Sequence, residues 1–181
     1  MDEVLAAELA RMAAEDQRVR QPPQGERLEF VRRVDPQTAL EGRRVDVANT
    51  DRLREIVSQH GWPGRSLVGD EGAHNAWLIA QHADRQLDFQ REALELLADA
   101  VRHGDAAQRD LAYLTDRVRM NEGRQQVFGT QIAEVKDGKG VPWPVEDPIN
   151  LDARRAAIGL PPFEEYSRNW PSPTSGSRGG I

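Results

Sequence analysis

Trp77-Leu78-Ile79-Ala80-Gln81-His82-Ala83-Asp84 is the stretch on which the fold turns. Its apolar residues run straight into a histidine. His82 stands in helical register with Leu78, Ile79, Gln86 and Phe89. The pattern predicts a helix from Asp70 or Glu71 towards Asp84, continuing or kinking into the next. That next helix carries Leu87, Leu94, Ala98 and Val101 on one face and ends at His103-Gly104.

Helical periodicity extends outward on both sides. Leu5, Leu9, Met12 and Val19 mark one face of a first helix, from Asp2 to about Arg20. Gln21-Pro22-Pro23-Gln24-Gly25 stops it, and Glu26 to Val34 reads as a short second helix. From Asp35 to Asn49 the pattern is weak and reads as loop with at most one turn of helix. Thr50 then suits an N-cap for a helix through Leu53, Ile56 and Val57 to His60. Downstream, Asp105 is placed to cap a helix with Leu111, Leu114 and Val118 in register, ending near Gly123. After Gly123 the character changes. Val127 to Ile132 is β-branched and aromatic around Gly129, and Lys136-Asp137-Gly138-Lys139-Gly140 is a turn signal. A short hairpin with Val141 to Val145 fits, with two prolines confining that partner to a sheet edge. Leu151 to Ile158 and Pro162 to Asn169 read as short helices.

The expected fold is therefore mainly α. It is one helical bundle of five or six helices over residues 1–170, with an irregular C-terminal segment and a Ser/Gly-rich disordered tail over 171–181. A chain of 181 residues with 38% apolar content can bury a core without staples. Zero cysteines exclude a disulfide scaffold and cysteine nucleophiles. A net charge of −6 argues against nucleic acid and anionic membrane as partners. No apolar run approaches a membrane span of roughly 20 residues. The acidic start Met1-Asp2-Glu3 shows no leader, which points to a cytoplasmic protein. Only Lys136 and Lys139 are lysines, against 22 arginines. A GC-rich genome explains that bias, and so do arginines that grip carboxylates or phosphates.

Candidate site residues are polar groups in apolar places. With Leu5 at zero on a helical projection, Asp16 falls about 20° away, inside the apolar stripe. A buried carboxylate needs a partner, and Arg20, at i+4, is in reach. His82 suits general acid–base work because a histidine titrates near neutrality, though a core histidine bonded to a carbonyl would look the same. Gln81 and Asp84 are placed to orient it or a ligand. Asp116 lies opposite Leu111, Leu114 and Val118 on a helix with two partly apolar faces, so it too is expected to be buried, by a structural ion pair or in a site. Gln125-Gln126-Val127-Phe128-Gly129-Thr130-Gln131 gathers amides around a glycine suited to positive φ. Those amides can fix a ligand or satisfy the chain's own ends.

No cofactor fingerprint is present: neither a P-loop, a G-x-S-x-G elbow nor a dinucleotide motif. A metal is not expected. His74 and His82 are eight residues apart, about 12 Å along a helix, too far to share an ion. A cross-helix site from Asp16, His82 and Asp116 is the one arrangement left for a metal-dependent hydrolase. His60 and His103 precede helix-ending glycines, where a cation suits the dipole.

Four motifs in order carry a resemblance: His60-Gly61-Trp62-Pro63, Gln81-His82-Ala83-Asp84, Tyr113-Leu114-Thr115-Asp116-Arg117 and Gln126-Val127-Phe128-Gly129-Thr130-Gln131. Together, from the first helix to about Tyr166, they resemble a bacterial family catalogued only as domain of unknown function DUF6624. The resemblance implies no activity. It implies that Gln81, His82, Asp116, Arg117, Gln126, Thr130 and Gln131 match the family's polar motifs. The family has Tyr where this chain has Phe128, so a phenol hydroxyl there has no role in this chain.

The residues then support a cofactor-independent acid–base enzyme of isomerase, lyase, cyclase or hydrolase type. His82 is its acid/base, Asp16 or Asp116 orients it, Arg117 holds an anionic group, and Gln81, Gln126, Thr130 and Gln131 bind substrate. The alternative is a non-catalytic module for a small molecule or peptide. A weaker one is a partner-binding structural protein, which predicts an apolar patch at Trp143, Phe163 and Trp170.

Overall fold

The computed structural model describes residues 1–20 and 36–168. The expected stop at Gln21–Gly25, the helix over 26–34, Trp170 and the tail over 171–181 lie outside them. The described residues are mainly helical. In chain order they form α1 (Glu3–Arg20), α2 (Pro36–His60), α3 (Arg65–Gln81), α4 (Leu87–Arg102) and α5 (Gln108–Asn121). Strands β1 (Ile132–Lys136) and β2 (Lys139–Pro142) follow, then a 3-10 turn and the short helices α6 (Leu151–Ala157) and α7 (Phe163–Arg168). Two compact units emerge. The first is Met1–Leu114 and the second begins at Thr115, inside α5.

In the first unit α1 starts where Asp2 caps it: the Leu5 N–H donates to Asp2 Oδ1 at 3.0 Å. Leu5, Leu9 and Ala13 are buried, and Asp16 follows them on the same stripe. The main packing partner is α3, against which Ala6 faces Gly72; a methyl group at Gly72 would lie 3.7 Å from the Ala6 Cβ. Helix α2 is longer than its pattern suggests. The expected loop before Asn49 is helical from Pro36, a residue preset for a helix's first turn. Cross-helix bonds hold this polar half. Arg18 reaches Glu41 at 2.5 Å, Arg20 reaches Asp46 at 2.6 Å, and the Asn49 amide donates to the Met12 carbonyl at 3.1 Å. Thr50 is thus no N-cap; it is buried mid-helix with its hydroxyl donating to the Asp46 carbonyl. Further along, Arg52 hydrogen-bonds Glu8 and holds that carboxyl below its usual range. This link is complete above the unfolded carboxyl's range and is lost as pH falls through the lowered value.

Helix α3 begins five residues earlier than Asp70, with a kink at Gly69 (φ 76°), so the expected start is that of its second segment. Asp105 caps this helix rather than α5. Its carbonyl accepts the Arg65 N–H at 2.8 Å, and its carboxylate accepts the Ser66 N–H at 2.6 Å and hydroxyl at 3.0 Å. The arrangement leaves no room at Gly64, where a methyl group would sit 2.0 Å from Asp105 Oδ2 and 2.9 Å from its carbonyl. Gly64→Ala is therefore expected to cost about 1–3 kcal/mol, measured by urea unfolding, because it displaces the cap. Helix α4 buries Phe89, Ala93, Leu97 and Ala100, not the leucine-led face at Leu87, Leu94, Ala98 and Val101. Alanines let neighbouring backbones approach closely, while longer chains such as Leu94 lie half-buried on the flank.

In the second unit the hairpin exists but starts later than expected. Val127 to Gln131 is loop, and β1 pairs with β2 from Ile132↔Pro142 to Lys136↔Lys139. Asp137 (φ 50°) and Gly138 (φ 76°) form the two-residue turn, both left-handed as a type I′ connection requires.

Candidate functional site

Two polar clusters stand out, one in each unit. In the first, Asp16 reaches the core because it continues the Leu5–Leu9–Ala13 stripe; it is 1% exposed. His82 terminates α3, its backbone N–H bonded to the Ile79 carbonyl at 3.1 Å. Its Nδ1 lies 2.9 and 3.0 Å from the two Asp16 oxygens. Arg20 Nη1 adds an ion pair to the same carboxylate at 2.8 Å, and Gln17 Nε2 donates at 2.9 Å. Three donors thus satisfy both oxygens of Asp16, as a buried charge demands.

The chemical consequence concerns the other ring nitrogen. An aspartate that accepts from Nδ1–H fixes the tautomer in which Nε2 carries a lone pair. Nε2 has no hydrogen bond among the described residues, and the His82 side chain is 18% exposed. This is the geometry of an oriented base. Arg20 extends outward from it to Asp46 and lines a cleft of about 680 Å³. Val19, Ala39, Gly42, Arg43, Asp84 and Arg85 contribute to the walls. Gln81, adjacent to His82, is buried; its carbonyl accepts from Gln90 Nε2 at 3.3 Å, and its side-chain oxygen has no hydrogen-bond partner among the described residues.

In the second unit Asp116, 0% exposed, is the hub. Its carboxylate accepts the N–H groups of Val127 (2.7 Å), Phe128 (3.1 Å) and Thr130 (2.9 Å), and the Thr130 hydroxyl (3.0 Å). The loop's carbonyls go to basic side chains and a phenol. Arg154 Nε donates to Val127 O at 2.9 Å, Arg155 Nη1 to Phe128 O at 2.6 Å, and the Tyr166 hydroxyl to Thr130 O at 2.8 Å. Gly129 has the expected positive φ, 64°. Gln126 clamps both sides of the segment, donating to the carbonyls of Gln131 (3.0 Å) and Trp143 (2.9 Å) and accepting the Gln131 N–H (2.7 Å). Gln131 in turn donates to Thr130 Oγ1 and accepts from Arg117 Nη1, both at 3.0 Å.

The sequence-predicted residues therefore fall into two groups. Asp16, Gln81 and His82 share the first unit, and the Asp16–His82 pair is made. Asp116, Arg117, Gln126, Thr130 and Gln131 share the second, where their polar atoms hold one another and the loop backbone. Sequence reading missed Arg154, Arg155 and Tyr166, which complete that loop. A doublet of arginines on a short helix gives no pattern that marks Arg155 as fully buried or separates the pair from the chain's exposed arginines. The same unit carries an apolar groove of about 630 Å³ whose lining includes Pro142, Trp143, Pro144, Ile149 and Phe163. Trp143 is 46% exposed there. His103 caps its own helix, Nδ1 lying 2.9 Å from the Asp99 carbonyl. Among the described residues no group of three or more His, Cys, Asp or Glu is placed to hold a metal ion, and no helix is long and apolar enough to cross a membrane.

No curated protein and no solved structure matches the chain. A family model does, over residues 3–172, which takes in both polar clusters and all four sequence motifs. The chain belongs to the family of unknown function DUF6624.

Proposed function

We propose that the protein is a cofactor-independent acid–base enzyme acting on a small molecule, with His82 Nε2 as the group that takes and returns the proton. The observation that carries this reading is the Asp16–His82 pair at 2.9 Å, one nitrogen held and the other open. Asp16 is the positioning residue: it fixes the tautomer and stabilises the imidazolium formed when His82 accepts a proton. Arg20 and Gln17 hold Asp16 in turn. The proton leaves a substrate carbon, hydroxyl or water, resides on Nε2, and returns to substrate or solvent. That cycle needs no oxidant or metal and serves isomerisation, elimination, cyclisation or hydrolysis. On this reading Asp116 acts by shaping the 126–131 loop, with Arg117, Gln126, Thr130 and Gln131 as its support. A cytoplasmic setting, where thiol chemistry is reducing, is consistent with a cysteine-free chain.

The test is a screen of small carboxylate, phosphate-ester and lactone substrates, followed by His82→Gln on any hit. General acid–base catalysis is worth roughly 10²–10⁴-fold, so turnover should fall by at least that lower figure with the fold retained. Equal turnover in wild type and His82→Gln sinks the proposal. A second reading, a non-catalytic peptide-binding module, has the groove at Trp143 and Phe163 in its favour. It predicts saturable binding that survives His82→Gln.

A further inference from the structure

We propose that the cleft bordered by Arg20, Arg43 and Arg85 is an oxyanion-binding site for the phosphate or carboxylate end of the molecule on which His82 acts. The last clause rests on the acid–base reading; the anion site itself does not.

Charge within this one concavity is unevenly paired. Among the described residues, five charged side chains line the cleft: Arg20, Arg43, Arg85, Asp46 and Asp84. Arg20 is engaged by Asp16 at 2.8 Å and Asp46 at 2.6 Å. Asp84 accepts from Gln90 Nε2 at 3.3 Å. Arg43 and Arg85 make no ion pair or hydrogen bond among the described residues. Asp46 is paired, Asp84 is bonded by a neutral amide that leaves its charge in place, and the five groups together carry a net charge of +1, with the Arg43 and Arg85 guanidinium groups lining a space of about 680 Å³. General surface basicity does not account for this, because the chain carries a net charge of −6. Many of its other described arginines are paired with a carboxylate, as Arg18, Arg52 and Arg54 are.

Position adds to charge. Arg43 stands on α2 and Arg85 in the link between α3 and α4, so the cations come from two separate elements. Guanidinium forks match the planar geometry of carboxylate and phosphate oxygens. Val19, Ala39 and Gly42 supply small apolar wall for the body of a ligand. Arg85 follows His82 by three residues, and Arg20 shares the Asp16 carboxylate with His82. Arg20 and Asp16 thus link this cleft to the Nδ1 side of His82.

The experiment uses the full chain and two probes, inorganic phosphate and malonate, against sodium chloride of equal ionic strength. Calorimetric titration and thermal melts are read for wild type, Arg43→Gln, Arg85→Gln and the double variant. Both arginines are exposed and make no ion pair or hydrogen bond among the described residues, so the variants should fold as wild type does. The expected result is saturable millimolar binding of at least one probe, weakened tenfold or more in the double variant. Stronger phosphate binding identifies a phosphorylated ligand, and stronger malonate binding a carboxylate. No saturable response beyond chloride, or an unchanged response in the double variant, overturns the proposal. His82→Gln should bind the anion as wild type does. A failed turnover test with intact phosphate binding therefore removes the enzyme reading alone, and the converse removes the anion site alone.

Discussion

Asp116→Ala is expected to be the most damaging single substitution in the second unit, costing about 3–5 kcal/mol in urea unfolding. Three backbone N–H groups and one hydroxyl converge on its carboxylate, and none has another acceptor in the described network. Removing the acceptor leaves buried donors unmet and releases the loop that Arg154, Arg155 and Tyr166 hold from the other side. Amide exchange gives the site-resolved check: Val127, Phe128 and Thr130 should lose protection together. Asp116→Asn keeps one acceptor but turns an NH2 group towards donors, so it should fall between wild type and the alanine variant. Full protection of those three amides in Asp116→Ala would mean that the loop is held by its carbonyls alone.

The second large effect separates Asp16 from His82. Asp16→Ala removes one of Arg20's two carboxylate partners, leaving Asp46, and also removes the acceptor from His82 Nδ1 and Gln17, so about 2–3 kcal/mol should be lost. His82→Ala leaves Asp16 still paired with Arg20 and bonded by Gln17, so its cost should be near 1 kcal/mol. Thermal melts of the two variants beside wild type read the order directly. A large loss in both would make the pair a structural network and shift the search for function to the second unit's groove. A large loss in Asp16→Ala alone leaves His82 as a side chain held in place at little cost to the fold, as a reacting group often is.

The helices of the first unit were legible where leucines repeat. They were not where polar contacts replace them. The first half of α2 shows no apolar period because Arg18–Glu41, Arg20–Asp46 and Asn49–Met12 hold it, and such pairings are invisible before the partner helix is placed. The face of α4 was misread for a related reason: alanines carried the packing that leucines were expected to carry. Asp16 was legible because a carboxylate inside an apolar stripe breaks a pattern. Its link to His82, 66 residues away, needed the fold. The second cluster was legible as a set of amides around a positive-φ glycine, but not in its use. Whether an amide serves a ligand or its own backbone depends on which N–H and C=O groups the loop leaves unmet. Here Gln126 and Thr130 spend their polar atoms on the loop itself.

The spacing of Asp116 from its donors bears on how the chain assembles in time. The three amides lie 11 to 14 residues downstream. Loops of about ten residues close in roughly 10–100 ns, so the carboxylate can gather its turn soon after the helix bearing it forms. The Asp16–His82 contact spans 66 residues and carries a larger closure entropy, about 1.5 kcal/mol more by logarithmic scaling. Refolding followed by amide protection should accordingly show the 127–130 segment ordering first. His82 should acquire its carboxylate partner only late, when α1 docks on α3, so on the proposed acid–base reading a partly folded chain has the histidine without its orienting group.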